Sequence, residues 1–302
     1  MKEFIRELVK KIKPIKSPAA SDDVQTAPLS DEQLQTVSIK EEKYFPIQIM
    51  VGSAQSVGRQ RDHNEDAILF HSAVLSDAER EQPFGIFIVA DGMGGHENGE
   101  LASSIACRVM AEYLVNRLYY AFLGIDNEPP LDSIQEIMEQ AVQKTQQAVL
   151  SMSKGGGTTL SAALLVGGQI TVAHVGDSRI YFIYPDGRMQ TITQDHSLVR
   201  KLVELGQITE SEASVHPQRN VLYRAIGQSE PLQVEVITNP VPMNGHMLLC
   251  SDGLWGVVPE NEMFKVISRA KNVSDATQQL IDAANAAGGP DNISALLVHF
   301  CH

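Results

Sequence analysis

The sequence predicts an α+β fold in which antiparallel sheets are covered by helices. Apolar runs of strand length come in hairpin-like pairs, amphipathic helical stretches come in blocks, and no regular strand-helix-strand alternation runs along the chain.

The first 45 residues read as an extension. Met1–Lys16 carries six Lys/Arg against two Glu, with Phe4, Ile5, Leu8 and Ile12 at helical spacing, a basic amphipathic stretch open to a loose tail or to membrane-surface contact. Residues 17–43 are rich in Ser, Pro, Asp, Glu and Gln, which is linker composition. A single domain is expected over 46–302. Its first strands are expected at 47–56, 65–74 and 84–90, the last from the run Phe87-Ile88-Val89-Ala90. Leu101, Ile105, Val109, Leu114 and Leu118 then predict a helix over 97–122, and a second helix is expected over 131–152. Strands follow at 158–166, 169–175, 179–184 and 188–192, separated by Gly167-Gly168 and Pro185-Asp186-Gly187 turns. Residues 196–224 are polar and weakly periodic. Strands at 232–238, 246–250 and 293–300, with helices at 259–270 and 274–287, complete the reading.

The net charge of −13 argues against a nucleic-acid partner, which would require a basic surface. Cys107, Cys250 and Cys301 are odd in number and widely spaced, so neither a disulfide framework nor a zinc cluster is expected. No apolar run reaches the roughly 18 residues of a bilayer span, and a cytoplasmic protein is expected.

Acids sit at the ends of the apolar runs. They are Glu65-Asp66, Asp91-Gly92, Asp177, Asp252-Gly253 and Asp291-Asn292. A single Asp-Gly is an ordinary turn signal. Several such acids at strand ends can instead converge into an oxygen-rich site of the kind magnesium and manganese prefer. Spacing alone leaves both readings open.

The stretches GRQRDHNEDA (58–67), VADGMGGHENGELAS (89–103), GGTTLSAALL (156–165), VGDSRIY (175–181), TQDHSLV (193–199), LLCSDGLWGVV (248–258) and GGPDNISALLV (288–298) together resemble the metal-dependent protein phosphatases of type 2C. They occur in family order over 58–298, and the DGMGGH form resembles the bacterial members. The resemblance implies a central sandwich of two antiparallel sheets flanked by helix pairs, in α-β-β-α layers. It also implies hydrolysis of phosphoserine and phosphothreonine in proteins, by direct attack of a metal-activated water without a phosphoenzyme. Two or three divalent ions, manganese or magnesium, would be the cofactors. Phosphorylated protein substrates and a cognate Ser/Thr kinase would be the partners, with the chain itself a monomer.

Carried over by motif, Asp91 would bridge two ions and the Gly92 carbonyl would bind one. Asp252 and Asp291 would complete the second, Glu65 and Asp66 would act mainly through waters, and Asp177 would help to hold a third ion. Arg61 matches the phosphate-binding arginine. Met93 stands where many eukaryotic relatives have a histidine, which leaves His63 as the nearest general acid by sequence. His96, His196 and Asn292 take supporting positions, with His196 read as either structural or proton-donating. Residues 200–224 match the family's variable flap, and Arg179 is expected in an ion pair. Two other readings compete: a phosphatase-like binding module, and a two-metal hydrolase of small phosphorylated molecules.

Overall fold

Alternation of side chains across strands explains how one chain builds three separate cores. The structure is a computed structural model that describes residues 48–76, 81–94, 97–124, 132–228 and 232–301. The N-terminal extension and His96 therefore lie outside the described residues.

Strands β1 (Gln48–Ser56), β2 (Ala67–Ser76) and β3 (Glu81–Ala90) come first, and the short β4 (Gly92–Met93) leads into helix α1 (Glu97–Leu114). Helix α2 (Ile134–Met152) precedes β5 (Gly157–Thr158), β6 (Leu160–Val166), β7 (Gln169–Val175), β8 (Arg179–Ile183) and β9 (Met189–Thr191). Two short helices, α3 (Leu198–Glu204) and α4 (Glu210–Ser214), are followed by β10 (Glu235–Pro240) and β11 (His246–Cys250). The chain ends with α5 (Asp252–Trp255), α6 (Glu260–Arg269), α7 (Val273–Ala286) and β12 (Ile293–Cys301). One sheet runs β1-β12-β11-β8-β9 and the other β10-β7-β6-β3-β2, with antiparallel pairing throughout.

On β3, Phe87 and Val89 face the opposite sheet while Phe84, Ile86, Ile88 and Ala90 face α1 and α2. On β12, Leu296, Val298 and Phe300 face the other sheet while Ile293, Ala295 and Leu297 face α6 and α7. Both strands are buried on both faces over most of their length, which is why they carry apolar runs, 86–90 in β3 and 295–298 in β12. Each fully buried Val, Leu, Ile or Phe side chain among them contributes about 1.5–3 kcal/mol. The layers are α-β-β-α, as expected.

Local departures from the sequence reading have local causes. Strand β2 starts at Ala67 rather than 65, because Asp66 donates its N–H to Asn64 Oδ1 instead of to a ladder. Strand β10 lies at 235–240 rather than 232–238. Helix α2 starts after Ser133, whose side chain forms a capping box with Glu136. The single helix expected over 97–122 widens into a π-type turn at Val115–Tyr119, where Tyr119 stacks on Phe122 and meets His71 edge-on. The two-residue pairing of β4 with β5 leaves no periodicity to read.

Candidate metal and phosphate site

Strand register alone brings the acids to one rim. Ala67 pairs with Ala90, Val89 with Ser161, and Leu160 with Val175, so the start of β2 and the ends of β3 and β7 lie together. In the other sheet Cys250 pairs with both Arg179 and Ala295, and Ser56 with Ile293. Since Gly176-Asp177-Ser178 joins β7 to β8, both sets of ends belong to the same edge of the sandwich. Asp66, Asp91, Asp177, Asp252 and Asp291 all project from that edge.

Asp91 is fixed by the Thr158-Thr159 pair. Its N–H donates to Thr159 Oγ1 at 2.9 Å, and its carbonyl accepts from Thr159 N–H at 2.8 Å and Thr158 Oγ1 at 2.9 Å. The sequence assigns these two threonines no role; their place at the end of β5 and just before β6, opposite the end of β3, supplies one. Gly92 is held extended by its pairing with Thr158. A Cβ there would run into the carbonyl oxygens of Gly99 and Glu65. Gly253 is constrained in the same way, since a Cβ would strike the carbonyl oxygen of Asn292. The backbones that bear Asp252 and Asp291 thus touch.

The carboxyls repel one another. Burial, followed by the charges of Asp66, Asp252, Asp177 and Asp291, pushes Asp91 well above the usual carboxylate range. Asp177 is raised by burial and then by Asp252 and Asp195. Asp252 is raised by burial and Asp291, although its carboxyl comes within hydrogen-bonding reach of Asp91. Asp66 is raised by burial against the opposing pull of Ser294 and Ser251. Such a cluster calls for either protons or cations. Among the described residues the buried Oδ1 of Asp66 has no hydrogen-bond partner, which matches an acceptor reserved for a cation or its water. Among the described residues no three Asp, Glu, His or Cys side chains form a complete cage around one point. A hard ion that keeps most of its waters needs only one or two carboxylates, so the donor set fits a water-rich magnesium or manganese site.

Arg61 and His63 share a loop that lies against these acids. Arg61 Nη2 donates to Asp291 Oδ2 at 2.8 Å, and the Arg61 side chain is half exposed. Asp291 raises the Arg61 pKa first, with Glu65 and Asp252 adding to it. His63 lies between Asp62 Oδ1 at 2.7 Å and Glu65 Oε1 at 3.0 Å, and both carboxylates raise its pKa. Asn292 anchors this loop. Its amide donates to the carbonyls of Val57 and His63, both at 2.9 Å, and its Oδ1 accepts from Glu65 N–H at 2.8 Å. Only its backbone N–H reaches Asp291, at Oδ1.

His196 is buried. Its Nδ1 accepts from Gly176 N–H at 3.0 Å, its ring stacks on His174, and burial, followed by His174 and Arg224 beside it, lowers its pKa to about 3. These contacts favour the structural reading over proton donation. Arg179 forms the expected ion pair, a two-pronged one with Asp195, and its guanidinium lies 3.5 Å from the centre of the Trp255 ring. Trp255 Nε1 in turn donates to the Asp177 carbonyl. Asp195 lies in a polar stretch with no sequence signal for this pairing.

His174 offers a pH test of the frame beneath the site. Its Nε2 faces the carbonyls of Gly176 and Gln194, so it carries the ring proton, and Nδ1 accepts from Ser161. Burial lowers its pKa from 6.5 to about 4. Below pH 6.5 the unfolded chain takes up a proton that the fold refuses. Stability is therefore complete above that pH and declines toward pH 4, by up to about 3 kcal/mol for this group. Urea unfolding of wild type and His174→Gln at pH 7 and pH 5 measures this. Equal losses in the two proteins would clear His174 as the cause.

Comparison with known proteins agrees with this geometry. The family model described as protein phosphatase 2C matches residues 56–297. The chain is 36% identical over 247 residues to the serine/threonine phosphatase stp of Listeria innocua, covering 80% of this chain and 92% of that protein. It superposes on the Streptococcus agalactiae serine/threonine phosphatase with a TM-score of 0.70 and 30% identity, covering 83% of this chain and 99% of the other. It also matches the catalytic domain of the serine/threonine phosphatase PstP in complex with two manganese ions, with a TM-score of 0.67 and 27% identity, covering 85% of this chain and 100% of that one. Matched from the end of β1 into β12, the strands that present the acids included, the chain belongs to the protein phosphatase 2C family.

Proposed function

We propose that this chain is a protein-serine/threonine phosphatase that hydrolyses phosphoserine and phosphothreonine with the help of manganese or magnesium. The convergence of five aspartates on one sheet edge, with one acceptor of Asp66 left open, carries the reading. The names of the relatives support the same activity.

Asp91, the Gly92 carbonyl, Asp252 and Asp291 would hold two ions, and Asp177 would contribute to a third. Glu65 and Asp66 would act on their waters. Bound there, the ions supply an attacking water of lowered pKa and positive charge for the phosphoryl oxygens. Arg61 spends one of its donors on Asp291 and keeps others for phosphate oxygens, whose geometry its planar fork matches. His63, whose pKa is raised by its hydrogen bonds to Asp62 and Glu65, would be the proton donor to the leaving seryl or threonyl oxygen. A covalent phosphocysteine at Cys107 or Cys250 has no support, since both thiols are buried and burial pushes them up to about 12.

The catalytic unit in this reading is a monomeric domain over 46–302 with an extension at 1–45, acting in the cytoplasm on the product of a Ser/Thr kinase. Among the described residues no helix is long and apolar enough to cross a membrane.

The full chain is expected to release phosphate from a phosphothreonine peptide with manganese present and to stop when a chelator is added. Nucleotides and sugar phosphates form the comparison panel. Turnover confined to those small molecules would sink the protein-phosphatase reading, and turnover indifferent to the chelator would sink the metal assignment.

A further inference from the structure

The buried carboxylate of Asp66 is gripped from the opposite sheet. Asp66 stands just ahead of β2, whereas Ser251 follows β11 and Ser294 lies on β12. The two serine hydroxyls donate to the same oxygen, Asp66 Oδ2, at 2.8 and 2.7 Å. Their direction is settled by what else they accept. Ser294 Oγ accepts from Gln55 Nε2 at 2.9 Å, and Ser251 Oγ accepts from Ser294 N–H at 3.0 Å. Gln55 lies on β1 directly opposite Ser294. The hydroxyl protons are thereby turned toward the carboxylate; the other acceptor in reach of Ser251 Oγ, the Asn292 carbonyl, lies at 3.4 Å, farther than Asp66 Oδ2. Both serines are completely buried, so no bulk water competes for them. The outcome is asymmetric: Oδ2 takes both hydroxyls, and Oδ1 is buried with no partner among the described residues.

We infer that Ser251 and Ser294 are positioning residues that fix the Asp66 carboxylate with one oxygen held open toward the divalent-ion site. The inference rests on the metal reading proposed above and deepens it. A hydroxyl pair suits this task because it fills one carboxylate oxygen without adding charge to an edge already crowded with acids. A lysine or arginine in its place would neutralise the acid. An apolar pair would leave Oδ2 unpaired and the carboxylate free to rotate. The grip also ties one sheet to the other at the rim, so the position of Asp66 relative to Asp252 and Asp291 is set across the sandwich.

Manganese titration of the metal-free full chain by calorimetry tests this. Ser294→Ala is expected to weaken manganese binding about 10- to 100-fold, the scale of losses when ligand-orienting partners are removed. In an Asp66→Asn background the same serine substitution is expected to change the affinity less than about 3-fold, because the carboxylate it orients is gone. Ser251→Ala, measured in the same pair of backgrounds, gives a second reading should Ser294→Ala fail to fold. Undiminished manganese affinity in the folded serine variants overturns the positioning role, and so does an equal loss in both backgrounds, which would mark general destabilisation. Wild-type chain that takes up no manganese overturns the metal reading and this one together; wild-type binding with unaltered serine variants overturns this one alone.

Discussion

Asp91→Asn is expected to abolish metal-dependent phosphate release while making the metal-free protein more stable. The two effects share one origin. Asp91 faces four other acids, and the fold holds them together against their repulsion. Removing its charge withdraws the ligand proposed to bridge two ions, costing several kcal/mol of charge stabilisation, about 10³-fold or more in kcat. The same substitution relieves repulsion in the empty cluster, by about 1–2 kcal/mol, or about 2–6 °C in Tm. The backbone clamp from Thr158 and Thr159 is untouched, so the strand end keeps its place. Melting in chelator and then in manganese measures both. Wild type should gain more from manganese than the variant does. A variant that melts lower than wild type in chelator would show that Asp91 is a structural acid and would undercut the bridging role.

Asn292→Ala is the second large effect. It deletes two donations and one acceptance that together hold the 57–65 loop at Val57, His63 and Glu65. Backbone groups left unpaired cost about 1–3 kcal/mol each, and a loss of about 3–5 kcal/mol overall is expected. Since the loop carries Arg61 and His63, kcat/KM should fall about 10²-fold through misplacement of the reacting groups. Activity measured well below the lowered Tm separates misplacement from unfolding. If kcat and KM there match wild type, something other than Asn292 holds the loop.

Some of this was legible in one dimension. The apolar runs within β3, β6, β11 and β12 gave their strands directly, because strands buried on both faces are apolar at most positions. The acids were visible because each ends or precedes such a run. Arg179 was readable as an ion-pair member, but not its partner, since Asp195 lies across a turn on a stretch without periodicity. Ser251, Ser294, Thr158 and Thr159 were invisible as functional residues. A buried hydroxyl in a strand has no composition signal, and its meaning depends on which atom stands across from it.

The sequence by itself determined the family, the α+β layers and the identity of the acids, because those follow from local periodicity and from the order of motifs. Only the tertiary structure decided which atoms meet. It placed Asn292 on the Arg61 loop as well as beside Asp291, buried His196 under Gly176, and closed two serines of one sheet over an aspartate of the other. Those contacts join residues up to 235 positions apart in the chain, and their geometry is set by strand register and sheet packing, which no local stretch of residues encodes.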